Sequence, residues 1–405
     1  MTALAIEPTA QTRAAQTRAA QKQAAQKQAA QNQAAQMRPE PPRPGCVITA
    51  DATYAARLAH DGGTPAAWYP ERWTLDGPEP YAVPLPAHQP EEPGTAVLPL
   101  TDGRVLVQRR AGGRHLFSLL YPTGPATGEV PLGAVECEEL TLLPPVPAGQ
   151  RAYAIAAREE TTDVWLVAGG AFGPEHVAEV KGRCSGGVWL EATGRLLALD
   201  RAEPGGGPVK TVAVDLERGG EVSPLLQITE GSEDRLLLAD PDSGLILLRS
   251  DAVEAGRPRL GWGVLGSTLP IRFPRALRPA GCTVTPFAAQ PGQTLTPEGC
   301  AVALRIDGAA GTQGSPWLGV WRPAEGVLHQ FPAPRGWLAG SGFWSRSGEL
   351  ALPYATDDMP CGLARLPAPK PAAPGAQAPT EPPAPAAPRP VPLAQAPLGG
   401  RRAGG

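Results

Sequence analysis

A glycine in a tight turn ahead of an apolar run recurs at near-regular steps along the middle of this chain. It is Gly103 in "VLPLTDGRVLVQRR", Gly149 in "PPVPAGQRAYAIAARE" and Gly194 in "VWLEATGRLLALDR". It returns as Gly244 in "LLLADPDSGLILLRSD", Gly299 in "TLTPEGCAVALRID" and Gly348 in "FWSRSGELALPY". The steps are 46, 45, 50, 55 and 49 residues. A repeat of this period is too long for a coiled coil and sets one structural unit per copy.

Each glycine is followed, after a loop, by a second strand-like run that closes on another glycine. Examples are "HLFSLLYPTG" (115–124), "TVAVDLERGG" (211–220) and "WLGVWRPAEG" (317–326). One more strand-like run precedes the next copy, as in "EVPLGAVE". Asp-Gly and Thr-Gly supply the positive φ of a hairpin turn, and the Val/Leu runs suit half-buried strands. Each unit therefore reads as two hairpins, or four strands. A lone four-stranded sheet cannot cover both of its faces, whereas radial stacking covers the faces and hides most edges. The fold class expected is all-β, a β-propeller of four-stranded blades, with six blades from the six copies and seven as the alternative. The last copy is short of strands, and "EPYAVPLP" (79–86) is expected to complete it. Just before it, "DATYAARLAH" and "TPAAWYPERW" read as helices. Thr64-Pro65 looks like an N-cap followed by proline at the first helical position. This lead-in is expected to pack on the propeller through Trp68 and Trp73.

The segments "FWSRSGELAL" and "VWLEATGRLLALD" resemble the tryptophan–serine–proline–aspartate–glycine repeat of TolB-type and WD40-like propellers. The propeller module of prolyl-oligopeptidase-type peptidases is similar. The resemblance covers roughly residues 95–365 and implies a propeller without the hydrolase domain. Arg346-Ser347 and Ala192-Thr193 stand where that family has proline–aspartate.

The ends differ in kind. The expected organisation is a disordered Gln/Ala-rich arm (1–45), the helical lead-in (46–78), the propeller (79–366) and a disordered Pro/Ala-rich tail (367–405). The arm's five-residue repeat advances about 140° per step on a helix, so its alanines form no stripe. Proline at the density of the tail excludes helix and sheet. Net charge is −3, yet residues 1–38 carry +4 and residues 366–405 carry +3, leaving −10 on the body. An acidic body repels phosphate backbones, so nucleic acid is not an expected partner. Arginine outnumbers lysine, and with so much Ala, Gly and Pro this suits a GC-rich, bacterial genome. The six cysteines show no Cys-x-x-Cys pair and read as isolated thiols. No window reaches the roughly 18 apolar residues of a membrane span, and the N-terminus lacks an apolar leader. A cytoplasmic monomer that does not engage membranes is expected.

Signals for chemistry are sparse. No serine has glycine two positions before it, as a nucleophile elbow requires. "EPGGGPVKT" has Val209 where a phosphate loop needs glycine before its lysine, and "GGAFG" lacks dinucleotide-binding spacing. The five histidines stand alone, so no metal or other cofactor is expected. Trp165, Trp189, Trp262, Trp317 and Trp344 lie in or beside repeat strands and are expected to pack between blades. One pattern remains. The strand after the turn glycine ends in arginine in five copies, at Arg109, Arg158, Arg201, Arg249 and Arg305. Together they would form a cationic crown for a carboxylate or phosphate. Their offsets from the glycine differ in parity, so they are not all expected to point alike. The function expected is a non-enzymatic binding or scaffold protein that recognises a protein or peptide on one face of the disc. The alternative is a hydrolase or peptidase accessory with a site at the central channel.

Overall fold

The computed structural model describes residues 45–63, 66–147, 149–308 and 315–369. The arms, Thr64-Pro65 and most of the tail expected above lie outside them. Among the described residues there are 26 strands and three short 3-10 turns, with no α-helix.

The strands form seven sheets, each a meander in chain order. Blade one holds β1 (Cys46–Ile48), β2 (Tyr54–His60), β3 (Trp68–Thr74) and β4 (Tyr81–Pro84). Blade two holds β5 (Ala96–Pro99), β6 (Val105–Ala111), β7 (Arg114–Pro122) and β8 (Thr127–Glu136). Blade three holds β9 (Thr141–Leu142), β10 (Ala152–Ala157), β11 (Thr161–Ala168) and β12 (Glu175–Lys181). Blade four holds β13 (Arg183–Trp189), β14 (Leu196–Ala202), β15 (Lys210–Asp215) and β16 (Glu221–Leu226). Blade five has three strands, β17 (Asp234–Ala239), β18 (Leu245–Ser250) and β19 (Arg259–Val264). Blade six holds β20 (Thr283–Ala289), β21 (Val302–Asp307), β22 (Trp317–Trp321) and β23 (Leu328–Pro332). Blade seven has β24 (Phe343–Trp344), β25 (Glu349–Tyr354) and β26 (Gly362–Pro367).

Seven apolar clusters hold the ring, one between each pair of neighbouring blades. Leu58 and Val107 belong to the cluster of blades one and two, Phe117 and Ala154 to that of two and three. Ile155 and Leu199 join blades three and four, Leu226 and Leu248 four and five, and Leu247 and Val302 five and six. Val320 and Leu352 join blades six and seven, and Cys46 and Cys361 join seven back to one. Burying both faces of every sheet this way is what lets thin blades stand.

The number of blades is seven, not six. The six aligned glycines all fall between the first and second strands of a blade, and all but Gly299 have positive φ there. Gly299 instead ends a 3-10 turn, Pro297–Gly299. The seventh such turn, between β1 and β2, carries Ala52 at φ 58°, the one non-glycine residue with positive φ among the described residues. An alanine in the glycine position hid the first copy of the repeat.

Two further expectations change with it. The 46–78 stretch is not a helical lead-in but three strands, β1 to β3. Its β2 is an interior strand buried on both sides, with Ala55 and Ala56 fully inaccessible, so it lacks the alternation that marks a half-exposed strand. Residues 79–86 do not complete the last blade; β4 pairs with β3 at the outside of blade one. Every blade is thus one contiguous piece of chain.

Candidate functional site

The first strand of each blade faces the axis. β1 meets β5, β13 meets β17, β17 meets β20, and β20 meets β24. Where these strands run into their first turns, they open a channel mouth of about 850 Å³. Blades one, three, four, five, six and seven all contribute to it, through Ala52, Pro144, Trp189, Asp242, Phe287 and Arg346 among others.

The walls are aromatic and prolyl. Trp189 and Trp344 are buried in the blade interfaces and present part of their surface to the mouth, while Phe287 and Phe343 are half-buried. Trp189 Nε1 donates to the Pro144 carbonyl at 3.0 Å. Trp344 Nε1 has no acceptor among the described residues. Pro241 and Pro291 stiffen the turns of blades five and six.

Charged side chains are few and stand mostly at the rim. Asp242 accepts from the Gly292 amide at 2.8 Å and faces Arg346 at 3.7 Å, tying the turns of blades five, six and seven. Gln290 Nε2 donates to the Arg346 carbonyl at 3.4 Å. Asp240, deeper and almost inaccessible, accepts from the Ser243 amide at 3.0 Å and hydroxyl at 2.5 Å. Burial raises its carboxyl above the ordinary aspartate value, against the lowering effect of those two bonds. Asp51 closes the turn of blade one by accepting from Thr49 Oγ1 at 2.6 Å and from the Thr53 amide at 3.1 Å. The mouth is therefore a rigid apolar bowl with a polar lip. It offers stacking surface and dispersion contact more than fixed charge. Among the described residues, no group of His, Cys, Asp and Glu stands close enough to hold a metal.

The five arginines of the expected crown lie on or just past the second strands, toward the end opposite the mouth, and none lines it. Arg109 makes a forked contact to the buried Glu91, at 2.7 Å from Nη2, and reaches Glu129 at 2.5 Å, so its pKa is raised. Arg158 pairs with Asp163 at 2.8 Å, Arg201 with Glu203 at 3.0 Å and Arg305 with Asp307 at 2.8 Å. Arg249 has no ion pair among the described residues. Blade one adds an arginine not singled out in the sequence: Arg57 on β2, paired with Glu71 at 2.6 Å. Of the tryptophans, Trp189, Trp262 and Trp344 are buried, Trp165 is half-buried, and Trp317 is half exposed.

The central channel entered the sequence analysis only as the site of the alternative function, and Trp189 and Trp344 were expected to pack between blades rather than to line it. Its residues come from the first strands and turns of separate blades far apart in the chain, and the signal in the turns is proline near the turn glycine, as in "PPVPAG" and "ADPDSG". No family model matches the chain, and no curated protein matches it. Several solved structures are similar in fold. The puromycin-hydrolysing peptidase of Mycobacterium tuberculosis is 14% identical with a TM-score of 0.49, over 80% of this chain and 50% of that one. The β-propeller domain of the Trilobed protease from Pyrococcus furiosus, described as having an open velcro topology, is 11% identical with a TM-score of 0.48, over 79% of this chain and 93% of that one. A putative TolB from Agrobacterium tumefaciens is 14% identical with a TM-score of 0.39, over 57% of this chain and 79% of that one. The chain spans about half the length of the mycobacterial peptidase. The seven stacked sheets of the chain are the propeller architecture that the resemblance read from the repeats implies.

Proposed function

We propose that this propeller is a binding module that takes an extended segment of a protein partner at the channel mouth. The observation that carries this reading is the bowl itself. Six blades contribute to one open cavity of about 850 Å³ with aromatic and prolyl walls, Asp242 and Arg346 at its lip and Asp240 buried below them. Extended and proline-containing peptides dock on such walls because stacking tolerates many side chains and the peptide loses little conformational freedom.

The test is site-specific. Ala192 is exposed and lines the mouth, whereas Val130 is exposed on the outer strand β8. A photocrosslinking side chain at position 192 of the full chain, irradiated in native cells, is expected to trap a defined partner that position 130 does not trap. Ala192→Trp, which fills the bowl from an exposed position, is expected to abolish that complex. A partner trapped equally from both positions, or a complex indifferent to Ala192→Trp, overturns the reading.

A further inference from the structure

Most arginines in the body have a carboxylate partner, from Arg57 with Glu71 to Arg365 with Glu349. The outer edge of blade five has few carboxylates for its arginines. Between positions 255 and 297 there is no aspartate or glutamate, yet this stretch holds Arg257, Arg259, Arg272, Arg275 and Arg278.

The segment carrying three of them is fastened in place. Blade five has no fourth strand, and residues 271–273 run along β19 where it would be. The amides and carbonyls of Trp262 and Arg272 exchange bonds of 2.9 and 3.0 Å. Gly261 and Gly263 make room for this. A Cβ on Gly261 would meet the Phe273 ring at 2.8 Å, and one on Gly263 would meet Ile271 Cδ1 at 2.6 Å. The Arg272 guanidinium lies over the Trp262 ring, 5.1 Å from its centroid.

Against this edge lies a pocket of about 450 Å³, floored by Leu260, Phe273 and Leu277 and walled by Arg259, Arg275 and Arg278. Glu254 serves both Arg257, at 2.8 Å, and Arg259, at 2.7 Å. Its carboxyl is held below the ordinary glutamate value first by the hydrogen bond from Arg259, and Arg257 and Arg278 add to the effect. Arg278 is exposed and has no ion pair among the described residues. Arg275 has an interaction of its own. Arg259 and Arg278 line the cavity, and Arg257 stands behind it on the Glu254 carboxylate it shares with Arg259, so the three guanidinium groups exceed that one carboxylate by two positive charges at a cavity of small-molecule size.

We propose that this pocket binds a phosphate monoester carried on a small molecule. A phosphate monoester bears about −1.5 to −2 charges at neutral pH, which matches the excess, whereas a carboxylate neutralises half of it. Guanidinium forks pair with phosphate oxygens in the plane, which ammonium groups do not. The leucine and phenylalanine floor covers the organic part of the ligand.

Calorimetric titration of the full chain with glucose 6-phosphate, inorganic phosphate, glucose and acetate at pH 7.5 tests this. Glucose 6-phosphate is expected to bind, with inorganic phosphate weaker and glucose and acetate silent. Arg278→Gln and Arg259→Gln are each expected to weaken binding about 10-fold or more. Glu254→Gln is expected to tighten it several-fold, a gain that misfolding cannot imitate. Lowering the pH to 5, where the phosphate carries one charge, is expected to weaken it. Absence of binding by both phosphates, acetate binding as tightly as glucose 6-phosphate, or an Arg278→Gln variant with unchanged affinity overturns the proposal.

Discussion

The joint between blades three and four and the joint between blades seven and one perform the same task with different means. The first buries fourteen apolar side chains, with Tyr153 and Trp189 stacked at a tilt 5.5 Å apart. The second buries six, and two of those are cysteines and one is alanine. Polar contacts make up part of the difference. Ser341 Oγ donates to the Cys46 carbonyl at 2.5 Å and accepts from the Cys46 amide at 3.2 Å. Glu71 accepts from Trp73 Nε1 at 2.8 Å as well as from Arg57. Among the described residues, no strand from one end of the ring joins the sheet at the other end. Ring closure here therefore rests on side-chain packing and a few hydrogen bonds rather than on a shared ladder. The seam is the thinnest joint by buried apolar side chains, and local opening concentrates where such packing is sparse.

Paired truncations probe that difference most strongly. Trp73→Ala at the seam is expected to cost about 4 kcal/mol, and Leu199→Ala in the joint of blades three and four about 3 kcal/mol, by loss of buried apolar contact and the cavities left. Urea denaturation measures both. Amide exchange separates them: Trp73→Ala should speed exchange in β1 and β25, while Leu199→Ala should leave no local hot spot beyond β10 and β14. If the wild-type seam exchanges no faster than blades three and four, the contrast is wrong.

Alkali offers a milder handle. Burial is the main cause that pushes the Cys46 and Cys361 thiols up to about 12, from 9.0, with Cys300 in the joint of blades five and six raised likewise. A thiol whose pKa is raised in the folded state stabilises it below pH 9, and that contribution is lost as pH rises from 9 toward 12. At pH 10 the loss is about 1 kcal/mol for each buried thiol. The urea midpoint is expected to fall between pH 8 and 10, and less steeply in Cys361→Ala. Alkylation at pH 9.5 should modify exposed Cys282 first, then Cys46 and Cys361, and Cys300 last. Cys300 reacting ahead of the seam pair would move the weak joint to blades five and six.

The smallest expected effect is a gain. Ala52 holds a left-handed conformation that costs an alanine about 1 kcal/mol or more, partly offset by the greater freedom of an unfolded glycine. Ala52→Gly should raise stability by about 0.5 kcal/mol, read as a higher melting temperature. No change, or a loss, would mean the turn is held by its hydrogen bonds to Asp51 alone.

That same residue marks the limit of what the sequence disclosed. Where glycine keeps its place, as at Gly103 and Gly194, the turn and its two strands were legible, because backbone geometry leaves few other choices. At Ala52 the turn survives by local bonding, and the eye has nothing to align. The alanines of β2 misled further: a strand covered on both faces needs no alternation, and small residues then look helical. The channel mouth was hidden for a different reason. Its aromatic groups sit on the first strands and its prolines in the turns of separate blades, and they meet only once the ring has closed. The arginines of the second strands were visible as a pattern, but their carboxylates, such as Glu91 and Asp163, were not, because these lie on other strands or loops.

One linker sets where this chain tolerates being cut. Blades three and four are joined by Gly182 alone, at φ 98°, where a Cβ would fall 2.4 Å from the Ala202 carbonyl oxygen. Blades five and six are joined by the long stretch between Val264 and Thr283. With every blade drawn from one uninterrupted segment, a circular permutant that starts in the long linker keeps each meander whole. One that starts at Gly182 frees the outer strand β12 and the inner strand β13 where a single atom's width decides the fit.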